Sequence, residues 1–289
     1  MSVDTVDTSK LGRPISGPTA TGNDWHRFWT LARTLALTDF KLKFFGSVLG
    51  YVWQLMRPLL LFGVLYIVFT QIVNLSGKAP YFGIALLLGI ALYGFFTEAT
   101  AGGVRCLIER ENLVRKIDFP RLAVPVAVVL NALMNLGLNL IAVFVFLMVS
   151  GGGVRLSWLQ LPFIIAVLVV VGLGFAMLLS VSFVKYRDVA PIWDVILQAL
   201  FYATPIFYTV QTIHGPHAEA IRRALLCNPL ATVIQQARHA LIGGPGYPSA
   251  ATVMGGTVWL LIPAAITAGV CVWGYLVFRR GAPRVAELL

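Results

Sequence analysis

Six stretches of this chain, about 48–73, 81–104, 122–149, 156–184, 191–210 and 250–278, are apolar over enough residues to cross a lipid bilayer. A helix needs about 20 apolar residues to span the ~30 Å hydrocarbon layer. The pattern predicts an all-α integral membrane protein with six transmembrane helices. The fifth run is the weakest, with Asp194 near its start and Pro205 within it. Composition agrees: of 289 residues 58% are hydrophobic and 12% charged, against roughly 25% charged in soluble domains.

The formal charge of +10 does not point to nucleic acid, because the basic residues lie between the apolar runs. The three cysteines, Cys106, Cys227 and Cys271, are scattered without metal-ligand spacing, and no metal site is expected. Residues 1–22, rich in Ser, Thr, Gly and Pro, predict a disordered cytoplasmic arm rather than a signal peptide.

Basic residues also set the orientation. Six spans put 16 Lys and Arg on the side of both termini, the 105–121 loop and the 185–188 turn, and 5 on the other, with Arg57 set aside inside the first span. Positive residues stay cytoplasmic, so both termini are expected there.

Two segments outside the spans have their own character. Within Asp24–Phe45, Trp25, Phe28, Trp29, Ala32, Leu35 and Ala36 share one helical face, with Arg27 and Arg33 opposite and Asn23 as a candidate N-cap. Such a helix lies in the membrane interface or packs on the protein itself. The second segment, "AEAIRRALLCNPLATVIQQARHALIGG", predicts two short helices broken at Asn228-Pro229, a re-entrant pair on the outer side.

No G-x-x-x-x-G-K-[ST] phosphate loop, catalytic carboxylate pair, HExxH or nucleophile elbow occurs. The chain is therefore not expected to be an enzyme, and no catalytic residue is assigned. Intramembrane ionisable residues are the better candidates. Glu98, on the second span, either couples to protons or pairs with a basic group such as Arg57. Asn131, Asn135 and Asn139, four residues apart, lie on one face of the third span, as glue to another helix or as a wet wall. Gly46 and Gly50 form a weak G-x-x-x-G.

Aromatics crowd the first and fifth runs: Tyr51, Trp53, Phe62, Tyr66 and Phe69, then Trp193, Phe201, Tyr202, Phe207 and Tyr208. Interfacial belts account for Tyr51, Trp53 and Trp193. The deeper rings suit a lining for a sliding glycan, since a tyrosine offers a flat apolar face and a hydroxyl.

"ERENLVRKIDFPR", Glu109 to Arg121, is the most densely charged stretch. Acidic residues precede basic ones, matching a helix dipole, and Phe119-Pro120 stops the helix. It reads either as a solvated loop enforcing topology or as a docking helix for a cytoplasmic partner.

"DFKLKFFGSVLGYVWQLMRPLLLFGVLYIVF", "NLVRKIDFPRLAVPV", "YRDVAPIWDVILQALFYATPIFY" and "NPLATVIQQARHAL", in this order and spacing, together resemble the membrane subunits of ABC-2 type polysaccharide exporters. The closing "VFRRGAPRVAELL" adds to the likeness, which covers roughly 25–289. That family moves O-antigen, capsule, teichoic acid, galactan and related lipid-linked glycans. The resemblance implies an interfacial helix over 23–47 and an ABC-2 type transmembrane domain over 48–289 in the bacterial plasma (inner) membrane. It implies a homodimer with two copies of a separate ABC ATPase, ATP and Mg residing on that partner and no cofactor in this chain. The implied channel lining is Tyr51, Trp53, Phe62, Tyr66, Phe69, Phe201, Tyr202, Phe207 and Tyr208. The implied gate spans 218–242. The implied ATPase-coupling residues, within Glu109–Phe119, are Glu109, Arg110, Glu111, Asn112, Arg115, Lys116 and Asp118. Lys41, Lys43 and Arg57 are candidates for an undecaprenyl-pyrophosphate-type lipid. Phe44-Phe45 and Arg57 depart from the usual pattern, where relatives carry a basic or polar run and Asn. The alternatives are an ABC-2 permease for a small lipid or drug and a secondary transporter using Glu98.

Overall fold

A computed structural model describes residues 25–44, 50–72, 81–114 and 119–288. The arm over 1–22, Asn23, Gly46, Lys78, Arg115, Lys116 and Asp118 lie outside the described residues, as does the Tyr51 side chain. Among the described residues all regular structure is helical. Eleven α-helices are described: α1 (Trp25–Phe44), α2 (Gly50–Ile67), α3 (Phe82–Glu109), α4 (Glu111–Val114), α5 (Ala123–Val149), α6 (Leu161–Lys185), α7 (Val189–Ala203), α8 (Ala218–Leu226), α9 (Pro229–Leu241), α10 (Ala250–Met254) and α11 (Leu261–Leu288).

Among the described residues five segments are long and apolar enough to cross a membrane: Val52–Ile72, Phe82–Glu109, Ala123–Val149, Leu156–Lys185 and Thr257–Ala282. The fifth apolar run differs from the expectation of a full span. It forms α7, of 15 residues, about 22 Å at 1.5 Å per residue. The residue before a proline is pushed out of the helical region, and Thr204 duly turns extended (φ −91°, ψ 137°) ahead of Pro205. The last run is also shorter than expected at its start. Gly255 and Gly256 take φ of +87° and +147°, which ends α10 and separates it from the span.

α3 is the central helix. Leu86, Leu88, Phe96 and Ala99 are wholly enclosed, and α5, α6, α7 and α9 pack around it. α6 and α11 meet backbone to backbone: a Cβ on Gly274 would stand 2.2 Å from the Gly174 carbonyl oxygen. At one end of the bundle the close of α3, α4 and the close of α11 share a small core of Leu107, Val114, Phe119 and Phe278. α1 lies against the start of α5 through Phe28 and Ala32, joining Ala123 and Val126. α1 packs on the protein with one face. Phe28, Ala32 and Ala36 are buried against the protein, while Trp25 and Trp29 stay exposed.

At the opposite end, α8 and α9 break at Asn228-Pro229 as expected. The Asn228 side chain accepts from the Leu230 N–H at 3.0 Å, and Pro229 opens the helix. Gly243 and Gly244, at φ of +63° and +83°, follow its end.

Candidate functional site

A cavity of about 620 Å3 opens between α1, α2, α3, α5 and α7, with Lys43, Gln54, Arg57, Glu98, Asn139 and Phe201 in its wall. Chain order brings these groups together. α1 ends on Lys41 and Lys43, where cations suit a helix C-terminus. Arg57 precedes Pro58 within α2. Glu98 lies on α3, 11 residues before the helix ends at Glu109, deeper than the apolar run alone suggested.

The Glu98 carboxylate binds two donors with one oxygen. Oε1 accepts from Lys43 Nζ at 2.6 Å and from Asn135 Nδ2 at 2.6 Å. The expected pairing of Glu98 with a base is met by Lys43 rather than Arg57. Arg57 and Lys41 are exposed and make no hydrogen bond or ion pair with a described residue. The asparagine stripe divides between a helix contact and the cavity wall. Asn135 is buried between α3 and α5 and donates to Asn131 Oδ1 at 3.3 Å, whereas Asn139 faces the cavity.

The predicted aromatics fall into two groups. Phe69, Phe201, Tyr202, Phe207 and Tyr208 form a chain of ring contacts joining the first and fifth runs, with Phe69 stacked on Phe207 at 5.3 Å. Phe62 and Tyr66 form a separate pair at 5.5 Å. Trp53 is exposed. Trp193 is buried within the protein: it donates to Thr100 Oγ1 at 3.1 Å and lies 5.2 Å from the Phe175 ring.

Of the charged stretch, Glu109 closes α3, Arg110 leaves the helix, and α4 holds Glu111 and Asn112. Arg110 binds the Asp39 carboxylate of α1, and Arg121 donates to the Ala282 carbonyl near the end of α11. A second cavity, of about 420 Å3, lies beside it with Arg105, Glu109 and Asp194 in its wall.

Two residues escaped the sequence reading. Tyr93 donates to the Leu197 carbonyl and meets the Phe201 ring at 5.3 Å, tying α3 to α7. Arg238, one of the five Lys and Arg expected on the side away from the termini, is 1% exposed. Its guanidinium donates to the carbonyls of Ala85, Pro205, Ile206 and Tyr208. The signal was present: Ala231, Ile234 and Leu241 share its helical face.

The model of the ABC-2 type transporter membrane domain matches residues 30–242. The chain belongs to this family. ABC-2 permeases are transport subunits rather than enzymes, and membership implies an ABC ATPase as partner. Among curated relatives, the O-antigen export system permease protein RfbA of Myxococcus xanthus is 26% identical over 209 residues, covering 72% of this chain and 79% of the relative. Two proteins of the same name from Klebsiella pneumoniae are each 26% identical over 207 residues, covering 71% of this chain and 78% of the relative. The chain is thus a multi-pass membrane permease similar to O-antigen export permeases.

Proposed function

We propose that this ABC-2 permease exports a lipid-linked polysaccharide of the undecaprenyl-pyrophosphate type, driven by a separate ABC ATPase that carries the ATP and Mg. The observation that carries the reading is the cavity: Lys43 and Arg57 are in its wall for a phosphate, and Tyr93 and Phe201 for an apolar or sugar-bearing chain. Relatives named as O-antigen export permeases support the same substrate class. Two copies of this chain form the channel, each crossing six times with α7 and the following coil as the fifth crossing and both termini cytoplasmic. The exposed α2 face and Tyr202 line it. α4 and the charged residues Arg115, Lys116 and Asp118 are the ATPase contact.

Copurification tests the assembly: the solubilised chain should bring down an ABC ATPase in equal amount, and its isolation as a lone chain that still exports glycan would sink the proposal. A secondary transporter would lose export in Glu98→Gln and be insensitive to ATP depletion. The exporter predicted here stops when ATP is exhausted.

A further inference from the structure

We propose that Glu98 is a resident counter-anion, holding Lys43 at the cavity until a diphosphate takes its place. The inference rests on the lipid-diphosphate reading of the cavity and adds a residue to it. Lys43 comes from α1 and Glu98 from α3, 55 positions apart, and their charged atoms meet at 2.6 Å. Both side chains are partly exposed, at 41% and 31%, so an incoming anion can reach the ammonium. Arg57, in the same cavity wall, has no described partner.

The charges define what fits. Lys43 and Arg57 supply two positive charges and Glu98 one negative, leaving a net single positive charge in the empty cavity. A diphosphate diester brings two negative charges. With Glu98 still ionised nearby, the loaded cavity is overfilled by one negative charge; without it, the charges cancel. Like charges in a poorly screened cavity repel strongly. Glu98 therefore weakens binding and recaptures Lys43 as the diphosphate moves on. Asn135 keeps the carboxylate aimed, because its Nδ2 holds the same Oε1 at 2.6 Å. A neutral lipid does not compete with Glu98 for Lys43, so the carboxylate tunes release of the phosphorylated carrier alone.

The test measures binding to the permease purified with its ATPase in detergent, using undecaprenyl diphosphate, undecaprenol and inorganic diphosphate as probes. Glu98→Gln keeps an oxygen that accepts from Asn135 but removes the charge. It should bind undecaprenyl diphosphate about tenfold tighter than wild type and undecaprenol equally well. The gain should shrink when Lys43→Gln is added, since only the repulsion then remains, and Glu98→Ala should show the same gain in whatever fraction elutes as the intact complex. Equal or weaker binding by both Glu98 variants, with wild type still preferring the diphosphate over undecaprenol, overturns the role of Glu98 alone. A wild-type protein that does not distinguish the two lipids overturns the lipid-diphosphate reading and this inference with it. Competition by inorganic diphosphate at the same concentration as the lipid identifies a free anion as the ligand and contradicts the lipid-headgroup assignment.

Discussion

Arg238 Nη1 donates to the Pro205 carbonyl at 2.6 Å and to the Tyr208 carbonyl at 3.2 Å, so one side chain of α9 holds the coil that follows α7. Pro205 ends α7 and leaves carbonyls without helical donors. In an apolar layer those groups must be satisfied within the protein, and a guanidinium, with five donors and a permanent charge, can serve several at once. Nε also reaches the Ala85 carbonyl on α3 at 3.2 Å, which fixes the outer helices to the central one. Arg238→Ala should destabilise the purified protein by about 3–5 kcal/mol, because it orphans several buried carbonyls at once. Arg238→Lys should recover only part of the loss. Thermal unfolding in detergent checks this, and an Ala variant as stable as wild type would contradict it.

Much of the architecture was legible. Apolar run length marked the spans, and Asn228-Pro229 marked the α8–α9 break through a cap and a ring that cannot continue a helix. The charge of the 109–121 stretch marked the end of α3, which closes at Glu109 before the chain turns. Tertiary contacts were not legible. Run length could not show that Pro205 shortens α7, since the residues beyond it remain apolar. Nor could it pair Glu98 with Lys43 rather than Arg57, because that choice depends on where α1 ends in space. Nor could the sequence show that Trp193 is enclosed by Phe175 and Thr100, a contact made across α3, α6 and α7.

The aromatic rings differ in exposure and packing. Tyr202 is 68% exposed, whereas Phe201 touches Tyr93, Tyr202 and Phe207. Tyr202→Ala should cost under about 1 kcal/mol of stability yet reduce surface glycan several-fold. Phe201→Ala should cost about 3 kcal/mol from the lost packing. Surface glycan staining beside thermal unfolding distinguishes them, and full export by Tyr202→Ala would count against the lining.

The α6–α11 contact leaves no room for a side chain. Gly274→Ala places a Cβ 2.2 Å from the Gly174 carbonyl oxygen, so the helices must part, at a cost of about 1–3 kcal/mol. A measurable drop in unfolding temperature is expected, with wild-type behaviour the contrary result.

Val114 and Phe119 bracket residues 115–118 and are anchored in the core shared with Phe278. Reversing Arg115 and Lys116 to Glu should therefore leave the permease folded while breaking its ATPase contact. ATPase activity of the purified complex and glycan export should fall out of proportion, or the subunits should separate on size exclusion. Normal export with normal hydrolysis would refute the coupling role.

The central claim is that this permease carries a lipid-linked glycan out of the cell. Its most direct test is the lipid fraction of cells depleted of the protein. A polyprenyl-diphosphate-linked polysaccharide should accumulate on the cytoplasmic side while surface polysaccharide disappears, both reversing when the chain is restored. Unchanged lipid-linked glycan, with intact surface polysaccharide, would contradict the account.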